Sequence, residues 1–157
     1  MKISQLNTYP IIAVFGGRKA DKNILEEAYN FGKMAGKNNW IILCGGKGGV
    51  MEAVSKGVKE SNGIAIGILP GNNKRLANSF LSITLTSGIG VSRNQMLARA
   101  CDYSIAIGGH YGTLSEIAYA LQMDKKIISL KSWNIKGMIK AENHTEAVEI
   151  IKKWLKE

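Results

Sequence analysis

The stretch Ile105-Ala-Ile-Gly-Gly-His-Tyr-Gly-Thr-Leu-Ser-Glu-Ile-Ala-Tyr-Ala-Leu121 passes from one apolar run, through a glycine-rich turn, into a second apolar run of different rhythm. The first run is short and unbroken, as in a strand buried on both faces, and the second repeats at helical spacing. Strand, turn and helix in that order make part of a βαβ unit. The same alternation continues in both directions along the chain.

Upstream, Ile11–Phe15 leads to Gly16-Gly17, and Ile24, Leu25, Ala28, Phe31 and Ala35 mark a helix over 22–38. Ile41–Cys44 leads to Gly45-Gly-Lys-Gly-Gly49 and a helix carrying Met51, Val54 and Val58. Ile64–Leu69 ends at Pro70-Gly71, and a polar loop, a strand over 82–86 and a helix over 92–100 follow. Tyr103–Ile107 is a fifth strand, 113–123 a helix and Ile127–Leu130 a sixth strand. Residues 132–142 read as irregular, and 146–156 as a closing amphipathic helix with Asn143 and Glu146 as its capping pair. Strands apolar on both faces, alternating with helices, call for a parallel sheet with helices on both faces. Right-handed crossovers make it a Rossmann-like, doubly wound α/β fold. No linker or repeat divides residues 1–157, so one domain is expected.

Apolar residues make up 45% of the chain and charged residues 21%, an ordinary balance for a folded protein. The formal charge of +9 favours an anionic partner. Lysines 33, 37, 56, 59, 152, 153 and 156 fall on helical stretches and read as solvated faces. Arg18, Lys19, Lys47, Lys74, Arg75 and Arg93 instead lie in or beside the glycine turns, like a funnel for a small phosphorylated ligand. No aromatic residues interleave with the basic ones, which argues against a nucleic-acid stacking surface. Cys44 and Cys101 form no CxxC and read as buried thiols in a reducing compartment, and no metal-ligating set stands out. The first six residues lack the apolar core of a signal peptide, and no run approaches the roughly 20 apolar residues of a membrane span. A cytoplasmic protein is expected.

In parallel sheets, ligands bind at the carboxyl ends of strands near the point where strand order reverses. Four glycine turns belong there: Gly16-Gly17, Gly45 to Gly49, Pro70-Gly71 and Gly108 to Gly112. Their amides can approach a phosphate closely, and the helices that follow add a favourable dipole. The turn at 45–49 is not a Walker loop, because no GK[ST] stands at the required spacing. Nor does GxGxxG follow the first strand, so the usual dinucleotide fingerprint is missing. No lysine stands out as a Schiff-base residue, which argues against a pyridoxal-phosphate decarboxylase.

Glu116 poses a sharper question. Thr113-Leu-Ser-Glu116 and Ser92-Arg-Asn-Gln95 both fit the capping-box pattern, so sequence physics favours Glu116 as a helix cap. Arg93 points the other way. A cation in the first turn of a helix opposes the macrodipole and suggests an anion nearby.

Gly45-Gly-Lys-Gly-Gly-Val-Met51, Ser92-Arg-Asn-Gln-Met96 and Gly109-His-Tyr-Gly-Thr-Leu-Ser-Glu116, in that order, resemble the motifs of the LONELY GUY superfamily, often labelled lysine decarboxylase. The resemblance runs over about residues 11 to 130 and implies a Rossmann-like protein that is dimeric or larger. The superfamily holds phosphoribohydrolases, which release a base from nucleoside 5′-monophosphates. It also holds molybdenum-cofactor carriers, which bind a phosphorylated pterin without hydrolysing it. Gly109, Gly112, Thr113, Glu116, Arg93 and Met96 match the hydrolase signature, while Gly108, His110 and Asn94 replace its proline, second glycine and lysine. With its GTLSE form and short length, the chain is most similar to the carrier-like branch.

The resemblance implies a binder of a nucleotide or a molybdopterin-type ligand. Its phosphate site comprises Gly16, Gly17, Arg18, Gly45, Gly46, Lys47, Gly48, Gly49, Pro70, Gly71, Arg93, Gly108, Gly109, His110, Tyr111, Gly112 and Thr113. If the chain is instead a hydrolase, Arg93 and Glu116 are the catalytic pair, with the carboxylate stabilising an oxocarbenium-like sugar. The helix over 113–123 is apolar around most of its circumference, which suggests a homodimer or higher homo-oligomer through this helix and its neighbour.

Overall fold

The computed structural model describes residues 8–157. The expectation of no signal peptide concerns the first six residues and lies outside the described residues, as does the N-terminal end of the 1–157 domain span. Seven strands and five α-helices follow one another: β1 (Ile11–Gly16), α1 (Lys22–Lys37), β2 (Ile41–Cys44), α2 (Val50–Glu60), β3 (Ile64–Leu69), β4 (Ile83–Thr86), α3 (Arg93–Arg99), β5 (Tyr103–Ile107), α4 (Tyr111–Gln122), β6 (Ile127–Leu130), β7 (Ile139–Ala141) and α5 (His144–Trp154). The sheet order is β4-β3-β2-β1-β5-β6-β7, and every pairing is parallel. Strand order therefore reverses between β1 and β5.

Alternation along β1 builds both halves of the core. Ile12 and Val14 join Phe31 of α1, Val54 of α2 and Ile151 of α5 on one side of the sheet. Ala13 and Phe15 join Leu97 of α3 and Ile117 of α4 on the other. Two glycines let α1 and α2 touch. A Cβ on Gly32 would lie 2.2 Å from the Val54 carbonyl oxygen, and one on Gly57 would lie 2.1 Å from that of Tyr29. Neither helix could approach so closely with side chains there.

The parallel, doubly wound α/β domain is as the sequence implies, with three differences of detail. β7 lies in the stretch read as irregular. Three residues, two of them exposed, are too few to display a period. α5 begins earlier than its apolar spacing suggests, at His144. Asn143 does cap it, accepting the Glu146 N–H at 3.0 Å, while the Glu146 carboxylate accepts from Glu142 N–H. α4 begins at Tyr111, two residues before the expected start, because Gly112 belongs to the helix and not to the turn. Trp133, Ile135 and Met138, like Tyr119 and Leu121 of α4, pack against the core on this side of the sheet.

Candidate functional site

The early start of α4 changes the role of Glu116. The N-cap position belongs to His110, which makes no side-chain capping bond. Thr113 stands third in the helix and Glu116 sixth, so the capping box expected at Thr113 and Glu116 does not form. Ser92 likewise caps nothing: it ends a 3-10 turn, Gly90–Ser92, and its side chain makes no capping bond. Both patterns were misread for one reason. A 3-10 turn or a glycine inside the first helical turn shifts the frame, and spacing alone does not reveal the shift.

What lies around the open end of α4 is a cleft of about 470 Å³ at the carboxyl edge of the sheet, beside the β1/β5 reversal. Gly16, Gly17 and Arg18 come to it from the turn after β1, Pro70 from the end of β3, and His110, Gly112 and Thr113 from the start of α4. Arg93 reaches it from α3 and Glu116 from the second turn of α4. The sequence motifs far apart in the chain thus converge on one place.

Two polar side chains there are buried without the partners that burial ordinarily demands. Arg93 is 8% exposed, and neither its Nε nor its Nη1 has a hydrogen-bond partner. Thr113 is 2% exposed, and its hydroxyl is also unpartnered. Glu116 is 6% exposed; burial pushes its carboxyl up to about 8, against a smaller opposing pull from the Arg93 charge. Burial likewise holds the Arg93 guanidinium below its usual range, offset in part by Glu116. The two feel each other's charge, yet they are not among the ion pairs formed by the described residues.

Glycines give these groups their room. A Cβ on Gly45 would lie 2.3 Å from Arg93 Nη1, so the bare backbone at Gly45 seats the guanidinium. Gly109, at φ +99°, lies against Thr113, and a Cβ on it would come within 2.2 Å of the threonine oxygen. Asn94 fixes the two helices to each other. Its Nδ2 donates to Ser115 Oγ at 2.9 Å and to the Gly112 carbonyl at 3.5 Å, and Ser115 Oγ donates to the same carbonyl at 2.7 Å.

Other expected site residues lie elsewhere. Gly46, Lys47, Gly48 and Gly49 do not line the cleft. The turn they form supports it: Val50 N–H, the first amide of α2, donates to the Gly17 carbonyl at 3.0 Å, and Asn78 Nδ2 donates to the Lys47 carbonyl at 3.0 Å. Gly71 is exposed with open space around it, and Gly108 is buried behind the turn against Ile24. Tyr111 is 82% exposed, its ring tilted against Trp133 at 6.4 Å. Of the basic funnel, Arg18, Lys19 and Arg93 line the cleft, while Lys47, Lys74 and Arg75 do not. Met51, Val91 and Asn94 line it without having been singled out as ligand contacts. For Met51 and Val91 the only signal was proximity to a motif.

Three comparisons with known proteins bear on this arrangement. The molybdenum cofactor binding protein of the phototrophic bacterium Rippkaea orientalis superposes with a TM-score of 0.89 at 32% identity, covering 94% of this chain and 98% of its own. The molybdenum cofactor carrier protein of Chlamydomonas reinhardtii gives 0.88 at 30% identity, covering 95% and 99%. An uncharacterized protein of Archaeoglobus fulgidus is 39% identical over 138 residues, 87% of this chain and 91% of its own. A model of the SLOG cluster4 family matches residues 9–155, nearly the whole of the described chain, and the carrier-like resemblance read from the motifs is thereby borne out: the chain belongs to the SLOG cluster4 family.

Proposed function

We propose that this protein binds a phosphorylated heterocycle, a nucleotide or molybdopterin-type monophosphate, with its phosphate at the N-terminus of α4, and that it holds the ligand without cleaving it. One observation carries the reading: an uncapped helix N-terminus meets the unpartnered Arg93 guanidinium and Thr113 hydroxyl at the floor of one cleft. Each of these groups is costly to bury alone, and a phosphate would satisfy them together. The names of the structural relatives support a small cofactor-type ligand.

Glu116 favours holding over hydrolysis. Stabilising an oxocarbenium-like sugar requires a carboxylate, whereas burial keeps this carboxyl protonated up to about pH 8. A neutral Glu116 also removes the repulsion that a carboxylate would exert on a bound phosphate. Asn94 stands where the hydrolase pattern has lysine, and it ties α3 to α4.

The test is thermal unfolding with AMP or a pterin monophosphate against the same compounds without phosphate. A phosphorylated ligand 100-fold above its Kd should add about 2.7 kcal/mol. Equal shifts from both sets would remove the phosphate argument. Release of free base by the wild type, lost in Glu116→Gln, would make the protein an N-glycosidic hydrolase.

We also propose that the protein self-associates. Of nine large apolar side chains left exposed among the described residues, five (Ile83, Leu85, Ile89, Val91 and Met96) lie in the stretch from β4 to α3, which supports a contact there. A monomeric mass by light scattering at micromolar concentration would refute this.

A further inference from the structure

The spacing of Lys33, Lys56 and Lys59 gives them solvated helix faces, but the fold sets two aromatic rings among them. Close contact at Gly32 and Gly57 brings Tyr29 of α1 beside α2, and the loop after β3 returns Phe80 to the same helix. The Lys33 ammonium lies over the Tyr29 ring at 5.5 Å, and that of Lys59 over the Phe80 ring at 5.7 Å. Lys56 is shared, 5.9 Å from the first ring and 6.0 Å from the second. Lys59 Nζ also donates to the Ser79 carbonyl at 3.2 Å. None of the three belongs to the ion pairs formed by the described residues, and none lines the cleft.

The charge around them is concentrated. Residues 28–80 hold seven basic side chains and two acidic ones, so this third of the chain carries more than half of its net charge. Of the two carboxylates, Glu60 accepts from the Tyr29 hydroxyl and is not paired with a lysine. The loop before Phe80 carries Lys74 and Arg75. Asn78 ties it to the turn bearing Lys47, bonding the Gly46 carbonyl through its amide and the Lys47 carbonyl through Nδ2. The basic residues that the cleft leaves out thus extend the lysines of α2 toward the carboxyl edge of the sheet. A lysine on a solvated face samples many rotamers, and fixing it on binding costs entropy. Ammonium groups drawn over ring faces have already lost part of that freedom.

We infer that this surface, formed by α2, the adjoining edge of α1 and the 72–80 loop, docks an acidic face of a partner protein. Ring faces covered by ammonium groups are closed to stacking bases, so a nucleic acid single strand would engage only through its phosphates. Among the described residues, Leu76 is the one large apolar side chain exposed in this span, too little for insertion into a membrane. What the surface offers is charge held in place, suited to carboxylates and to fast, salt-sensitive association. The turn at 46–49 joins it to the cleft, since Val50 N–H bonds the Gly17 carbonyl. A partner seated there would stand beside the ligand site.

The test is fluorescence anisotropy of the full chain with a labelled polyglutamate peptide and with an oligothymidylate of equal length. The triple variant Lys33→Gln/Lys56→Gln/Lys59→Gln should weaken polyglutamate binding at least about tenfold at low salt, and added salt should erase the difference. Lys152→Gln/Lys153→Gln/Lys156→Gln removes the same charge from the end of α5, where Glu146, Glu149 and Glu157 offset the lysines, and should change binding less than about twofold. Phe80→Leu keeps every charge but releases two ammonium groups, and should weaken binding about threefold. Equal losses in the two triple variants would make the attraction a matter of net charge and overturn the docking surface. Unchanged binding by Phe80→Leu, or no polyglutamate binding by the wild type, would also overturn it. Oligothymidylate binding tighter than polyglutamate would assign the surface to nucleic acid instead.

Discussion

The two faces of the sheet are built to different rules. On the face of α1, α2 and α5, helices interlock at Gly32 and Gly57, and side chains cap α1 and α5. On the face of α3 and α4, neither helix has a side-chain cap, Arg93 and Thr113 are buried without partners, and burial raises the Glu116 carboxyl to about 8. The first face is what a chain makes when only stability matters. The second carries a cost that nothing within the chain offsets.

The largest effect should come from breaking the first face. Gly57→Ala places a methyl group 2.1 Å from the Tyr29 carbonyl oxygen and 2.8 Å from the Lys33 amide nitrogen. Backbone cannot yield as a side-chain tip can, so α1 and α2 must move apart. Urea unfolding should show a loss of about 3 kcal/mol, at the upper end for overpacking. A loss below 0.5 kcal/mol would mean that the helices are not locked there.

The second face should respond with the opposite sign. Arg93→Met removes a buried, unpartnered charge and keeps much of its apolar stem. The ligand-free protein should gain about 2 kcal/mol, while phosphate-ligand affinity falls on the order of 100-fold. Stability and binding measured on the same variant would then move apart. Destabilisation by Arg93→Met would mean that the guanidinium has a structural partner and is no ligand group.

Glu116 gives this face a pH dependence. Its carboxyl is raised from 4.5 to about 8, so between those values the folded chain holds a proton that the unfolded chain releases. The stabilisation is complete below about pH 4.5 and is lost as pH rises through about 8. The contribution declines steadily as pH rises within that window. Glu116→Gln, which cannot ionise, should lack this decline and overtake the wild type above pH 8. Ligand affinity should likewise fall above pH 8 in the wild type and hold level in Glu116→Gln. Parallel stability curves for the two proteins across pH 5 to 9 would show that Glu116 titrates normally.

The sequence disclosed the fold more fully than the site. Both-face apolar strands such as Ile11–Phe15 and Ile41–Cys44 imply a covered parallel sheet whatever the details, and that sheet formed. It also brought the turn after β1, Arg93 and the start of α4 to one cleft, as topology requires. The roles within that cleft were less legible. Whether Glu116 caps a helix or lies buried in it depends on where α4 begins, and Gly112 gave the wrong starting point. Gly45 read as an amide donor, but its use is the space it leaves for Arg93, a contact across 48 positions in the chain that no local pattern encodes.

The smallest prediction separates the faces most cleanly, because it compares two changes of equal size. Asp21 caps α1, its Oδ1 accepting the Ile24 N–H at 2.9 Å. Asp21→Ala leaves that amide without its partner and should cost about 1 kcal/mol, the ordinary value for a lost cap. Thr113→Val keeps the shape of a buried side chain but removes a hydroxyl that has no partner. With nothing left unsatisfied, the ligand-free protein should gain about 1 kcal/mol. Both changes delete one oxygen-bearing group near a helix N-terminus, so local propensity alone would predict the same sign for both. Thermal unfolding of the two variants side by side decides between these accounts. If Thr113→Val destabilises as Asp21→Ala does, the Thr113 hydroxyl is satisfied within the fold. The contrast between the faces would then rest on Arg93 and Glu116 alone.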